Sequence, residues 1–160
     1  MKNVVCDLCF HHCVLKEGQR GFCRARIVKH GKIICENYGK ITSLALDPIE
    51  KKPLRRFHPG SNILSIGSYG CNMRCPFCQN HEISMSETIP YHTISPATLV
   101  ELACAKRKDR NIGIAFTYNE PLISYEYVFD CAVAAKAKDL AVVIVSNGMI
   151  ETTKLLALLP

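Results

Sequence analysis

No apolar run in this sequence is long enough to cross a bilayer. The longest, Leu140 to Val145, falls far short of the ~20 residues a membrane helix needs, so no membrane is expected as a partner. No secretory leader is expected either. Met1-Lys2-Asn3-Val4-Val5 runs straight into Cys6 with neither an apolar core segment nor a small-residue cleavage site, and a cytoplasmic location is expected. Internal repeats and low-complexity tracts are absent. With 48% hydrophobic and 21% charged residues, disordered, collagen-like and coiled-coil readings fall away. The net charge of +6 is compatible with anionic ligands, but no stripe of interleaved basic and aromatic residues and no zinc-finger spacing accompanies it. Nucleic acid is therefore not the expected partner.

What the sequence does have is cysteine: 10 in 160 residues, a length suited to one domain or a little more. In a chain without an export signal, clustered cysteines point to metal rather than to disulfides. Cys6, Cys9, Cys13, Cys23 and Cys35 lie near the start, and Cys71, Cys75 and Cys78 form a second group. Only Cys104 and Cys131 stand alone, on apolar helix faces where a free thiol serves as a small hydrophobe.

The composition changes character near residue 60, dividing residues 1–60, a cysteine-rich subdomain and linker, from residues 61–160. Ile27-Val28 and Ile33-Ile34 flank His30-Gly31, a hairpin pattern. Tyr38-Gly39-Lys40 then turns into Ile41 to Leu46, which predicts a three-stranded meander. Asp47 to Gly60 holds Pro48, Pro53 and Pro59 and reads as an extended connection. Its Lys51, Lys52, Arg55, Arg56 and His58 are expected on a wet surface, with room to dock an acidic partner or electron donor.

Beyond residue 60 the pattern alternates strand and helix. Asn62 to Gly67 reads as a strand ending in Gly67-Ser68-Tyr69-Gly70, and Ser95-Pro96 is a helix start. Ile112 to Thr117 is a second strand. Leu122 to Lys138 is a second helix with Ile123, Tyr127, Cys131 and Ala134 on one face. Ala141 to Val145 reads as a strand buried on both faces, and a third helix is expected after Gly148, stopping at Pro160. This is α/β order with a parallel sheet. Three βα units leave an unpaired edge, so the sequence reads as the front part of a longer fold.

Cys71-Asn-Met-Arg-Cys75-Pro-Phe-Cys78 sets three soft thiolate donors in a loop directly after a strand. A structural zinc takes four ligands, and His81 is the only nearby candidate to complete one. Three thiolates on a cubane iron–sulfur cluster would instead leave one iron open to chelate an amine and a carboxylate.

This arrangement, with Phe77 before the last cysteine, resembles the radical S-adenosylmethionine enzymes. Asp47-Pro-Ile-Glu-Lys-Lys-Pro-Leu54, Phe57-His-Pro-Gly60, Gly70-Cys-Asn-Met-Arg-Cys75 and Cys78-Gln-Asn-His-Glu-Ile-Ser84 are similar to one subgroup, the radical enzyme of the AmmeMemoRadiSam system, related to activating enzymes of pyruvate formate-lyase. Cys6-x2-Cys9-x3-Cys13-x9-Cys23 also fits it. The resemblance implies an α/β fold: a partial (βα) barrel of the radical S-adenosylmethionine type, its first three βα units preceded by the small cysteine-rich β subdomain. It implies that Cys71, Cys75 and Cys78 ligate a [4Fe-4S] cluster and that the open iron binds S-adenosylmethionine. Phe77 would lie near the adenine, Asn119 and Glu120 near the methionyl ammonium, and Ser146 and Asn147 near the carboxylate. Asn119 stands where the family has glycine.

The implied activity is reductive cleavage of S-adenosylmethionine, with an electron from a single-electron donor, to a 5′-deoxyadenosyl radical that abstracts hydrogen from a substrate. Installation of a glycyl radical on a protein is the expectation drawn from the activating enzymes. A non-catalytic metal-binding module is the competing class. Cys6, Cys9, Cys13 and Cys23 are candidate ligands of a second metal, either a structural zinc or an iron–sulfur cluster. Cys35 is expected to pack, and His11 and His12 to be solvated.

Overall fold

In the computed structural model, which describes residues 2–86 and 88–159, short antiparallel pieces come first. β1 (Val4–Val5) pairs with β2 (Val14–Leu15), and the Cys6 amide donates to the Cys13 carbonyl at 2.9 Å. β3 (Arg26–Lys29) and β4 (Lys32–Cys35) form the expected hairpin. Its turn residues His30 and Gly31 both take left-handed backbone, φ 53° and 69°, as a two-residue hairpin turn requires.

The expected meander does not form. Gly39 turns as anticipated, at φ 68°, but the chain leaves the hairpin instead of returning to it. Buried Asn37 steers this departure by donating to Ser68 Oγ and to the Tyr69 carbonyl, both beyond the next strand. β5 (Lys40–Ile41) is followed by β6 (Ser43–Pro48), which runs antiparallel along β7 (Asn62–Gly67) with Ser43 opposite Gly67 and Pro48 opposite Asn62. The connection between β6 and β7 is not extended throughout. Residues Ile49–Lys51 curl into a 3-10 turn because Lys51 and Lys52 both reach back to Asp47, each at 2.8 Å. Lys52 is consequently buried, contrary to the wet surface expected, while Lys51, Arg55, Arg56 and His58 are exposed.

After β7 come the short helix α1 (His81–Ser84) and β8 (His92–Thr93), which pairs with β5. α2 (Pro96–Ala105) begins as expected: the Ser95 hydroxyl accepts from the Thr98 amide at 3.1 Å and Pro96 opens the helix. β9 (Asn111–Phe116) follows. The expected helix over residues 122–138 divides into a 3-10 turn, Pro121–Ser124, and α3 (Tyr125–Lys136). β10 (Ala141–Ile144) and the five-residue α4 (Thr152–Leu156) complete the described chain, and Pro160 lies outside it.

The main sheet has the order β10-β9-β7-β6, parallel except for β6. Leu64, Ile66, Ile114 and Phe116 face α2 and α3, packing with Leu99, Val100, Ala103, Tyr127, Val128 and Cys131. On the opposite face Ile63, Ala115 and Val143 form a smaller cluster with Ile49 and Leu54. β10 is an edge strand in the described residues, so only Val143 is buried along it; the expectation of burial on both faces fails for lack of a further neighbour. No described helix is long and apolar enough to cross a membrane.

Candidate cofactor site

Because β7, β9 and β10 run parallel, their C-terminal ends share one edge of the sheet, and the loops leaving them meet there. The loop after β7 passes through Gly70, at φ 87°, into Cys71. A Cβ on Gly70 would stand 2.5 Å from the Cys23 carbonyl, so only glycine allows this loop against the N-terminal segment. The Cys71 amide then donates to that same carbonyl at 3.2 Å.

Cys71, Cys75 and Cys78 are all half-buried free thiols. Burial pushes the Cys71 thiol up, and the Glu120 carboxylate adds to the rise. The Cys78 amide donates to the Cys75 carbonyl, closing a turn, and Cys78 Sγ lies 3.6 Å from Ser84 Oγ. His81 turns its Nδ1 to the Cys78 carbonyl at 3.3 Å. Phe77 is 82% exposed.

The polar residues expected after β9 and β10 are brought to this edge, where they bond to one another and to the cysteine loop. Asn119 accepts from the Ser68 amide at 3.1 Å and donates to the Gly70 carbonyl at 2.9 Å. Glu120 is buried. Its Oε1 accepts from the Leu122 amide and Ser146 hydroxyl, and its Oε2 from the Asn147 amide, at 2.8–2.9 Å. Burial raises its pKa against those hydrogen bonds, which pull the other way. It thus ties the end of β9 to the end of β10.

Asn72, inside the cysteine motif, was not singled out by sequence reasoning, because a lone asparagine carries no motif signal. It is fully buried, donates to the Met149 carbonyl, accepts from Asn147 Nδ2 at 2.9 Å, and offers its own carbonyl to His11 Nε2 at 2.9 Å. His11 is accordingly not simply solvated: its ring stacks between Phe10 and Phe22, each centroid 4.1 Å away. His12 pairs with Glu151 at 3.1 Å.

The N-terminal thiols gather against this edge. Cys6 and Cys23 are buried in one cluster with Leu8, Ala25 and Ile123, and Cys13 packs on it. Cys9 is buried too, in the helix-side cluster with Ile150. Burial pushes the Cys6, Cys9 and Cys23 thiols up. Cys131 is fully buried in the helix-side core and Cys104 packs against it, as expected of structural thiols.

Among the described residues no three His, Cys, Asp or Glu side chains converge on a single point at metal-ligating distance. A cubane cluster spaces its ligands around a body several atoms wide, so convergence on one point is a requirement for a single ion and not for a cluster. The donor set of the β7 loop, three thiols on one short segment with no carboxylate among them, suits iron–sulfur chemistry.

The family described as the Radical SAM superfamily matches residues 65–159. An uncharacterized protein of Methanocaldococcus jannaschii, MJ0808, is 43% identical over 158 residues, 98% of this chain and 46% of that protein. A second uncharacterized protein of the same organism, MJ0674, is 33% identical over 128 residues, 75% of this chain and 32% of that protein. The chain therefore spans about half the length of the first of these relatives and a third of the second.

Proposed function

Since the chain belongs to the radical S-adenosylmethionine superfamily, we propose that Cys71, Cys75 and Cys78 hold its [4Fe-4S] cluster and that the loops after β9 and β10 form the wall against which S-adenosylmethionine is bound. When bound, the reduced cluster supplies the electron for reductive cleavage of S-adenosylmethionine, which generates the radical that takes hydrogen from a substrate. The chain's own residues supply order. Asn119 pins Ser68 and Gly70, the two residues that lead into Cys71 on either side of Tyr69. Glu120 fixes the ends of β9 and β10 to each other, and Asn72 fastens the cysteine loop to the segment after β10. The observation that carries this reading is the meeting of three parallel strand ends on one cysteine loop.

Residues 47–54 and 57–60 are similar to a subgroup related to activating enzymes, and by that relation alone the proposed substrate is a protein on which a glycyl radical is installed. The spacing Cys6-x2-Cys9-x3-Cys13-x9-Cys23 supports a second metal there. Burial raises the pKa of three of these thiols, and metal uptake would release their protons.

Anaerobic iron–sulfur reconstitution followed by dithionite and S-adenosylmethionine tests the main reading, with 5′-deoxyadenosine as the product measured. Cys75→Ala is expected to lose the cluster and the product. Iron content equal to the parent in that variant, or zinc in place of iron in the parent, overturns the assignment. A variant with Cys71, Cys75 and Cys78 all changed to Ala is expected to retain the N-terminal metal, and metal analysis that finds none removes the second site.

A further inference from the structure

Tyr118, between β9 and Asn119, has a strained backbone. Its φ of 72° lies in the left-handed region, where a bulky side chain is an outlier that its surroundings must enforce. The enforcement is visible on two sides. Gly67 leaves the room: a Cβ there would lie 2.9 Å from Tyr118 Cβ and Cδ2, so the tyrosine lies directly on the end of β7. At the far end of the ring, the Tyr118 hydroxyl donates to Asp47 Oδ2 at 2.7 Å.

Asp47 is itself a fixed anchor. It is 4% exposed on β6, buried Lys52 donates to the same Oδ2, and Lys51 donates to Oδ1. Lys52 Nζ also sits 5.0 Å from the centre of the Tyr118 ring. Burial alone would raise the Asp47 pKa, but the hydrogen bonds from Lys51, Lys52 and Tyr118 outweigh it and hold the carboxyl well below the usual carboxylate range. The anchor therefore stays ionised, and an ionised acceptor makes a stronger hydrogen bond than a neutral one.

The next residue in the chain is the clamp. A left-handed residue reverses the chain direction locally, and Asn119 emerges from Tyr118 aimed at Ser68 and Gly70. We infer that the Asp47–Tyr118 hydrogen bond is a positioning device for the cofactor site: it holds Tyr118 in its strained conformation, so that Asn119 fixes the loop leading into Cys71. The inference rests on the reading of Cys71, Cys75 and Cys78 as cluster ligands, and it assigns to Asp47 and Tyr118 a role that neither would fill by touching the cofactor. A sheet without this clasp would keep its strands and lose only the setting of the loop.

Two measurements on Tyr118→Phe, which keeps the ring on Gly67 and deletes the hydroxyl, test it. In the protein without cofactors, amide hydrogen exchange at Ser68 is expected to accelerate at least tenfold, while the β7 amides keep the parent rate. In the reconstituted protein, iron content is expected to match the parent, while the Kd for S-adenosylmethionine rises several-fold. The change that S-adenosylmethionine causes in the electron paramagnetic resonance spectrum of the reduced cluster should shrink. Asp47→Asn, which leaves an oxygen for the hydroxyl but removes the charge, should fall between parent and Tyr118→Phe. Parent-like exchange at Ser68 with a parent-like spectrum in Tyr118→Phe overturns the inference, whatever happens to its melting temperature. A parent protein that takes up no cluster overturns the underlying reading as well, and is told apart by its own iron content.

Discussion

One face of the four-stranded sheet carries Leu64, Ile66, Ile114 and Phe116 beneath α2 and α3, while the other carries Ile63, Ala115 and Val143 with Asp47, Lys52 and Tyr118 around them. The first face is a large apolar cluster held by burial, which is non-directional and tolerates repacking. The second is thinner and relies on a buried, directional ion and hydrogen-bond network, which enforces one geometry. The strained residue Tyr118 and its clasp lie on the second face, and the loops that meet at the cysteine motif lie at its end. The helix side supplies stability, and the open side supplies position.

Truncation on the helix side should have the largest effect on stability and the least on cofactor binding. Leu99→Ala, fully buried in α2, is expected to cost about 2–5 kcal/mol, read by calorimetry. Iron bound per folded chain should be unchanged, and a loss of cluster in chains that remain folded would break the division between faces.

Next in size is the anchor itself. Lys52→Ala removes a buried partner of Asp47 and is expected to cost about 1–3 kcal/mol, against at most about 1 kcal/mol for Lys51→Ala, whose side chain is 60% exposed. Equal effects in the two variants would show that burial is not what sets the strength of the network. The network also has a pH signature. The Asp47 pKa is lower in the folded chain than its usual ~4, so its contribution is full above that value and drains away as pH falls below it. Acid unfolding, monitored by circular dichroism, should therefore begin at lower pH in the parent than in Lys52→Ala. The same onset in both chains would show that a different carboxylate governs the transition.

The smallest effect sharpens the comparison from the helix side. Ser95→Ala removes the hydroxyl that caps α2 and is expected to cost about 1 kcal/mol, with no change in S-adenosylmethionine binding. A change in binding would place α2 in the site.

Sequence reasoning reached the elements whose signals are local. β7 matches its expected bounds, α2 starts at its expected cap, and the cysteine loop lies at a strand end. It missed what depends on partners distant in sequence. The run expected to finish a meander became β6 because Asn37 and the free edge of β7 draw it there. Lys52 was expected in water because nothing local shows that Asp47 and Tyr118 enclose it. Neither Asn72, an unremarked position within the cysteine motif, nor Tyr118 announces its contacts in the sequence, and their importance comes from what they touch.

The sequence by itself determined the alternation of strands and helices, the placing of three thiols, Cys71, Cys75 and Cys78, on one short loop, and the glycine that carries the chain into them, since periodicity, capping and thiol spacing are written within a few residues. Only the tertiary structure decided which strands pair and which polar groups are buried. It also decided that Asp47 reaches Tyr118 across 71 positions, because hydrogen bonds between distant segments exist only after the sheet has brought them together.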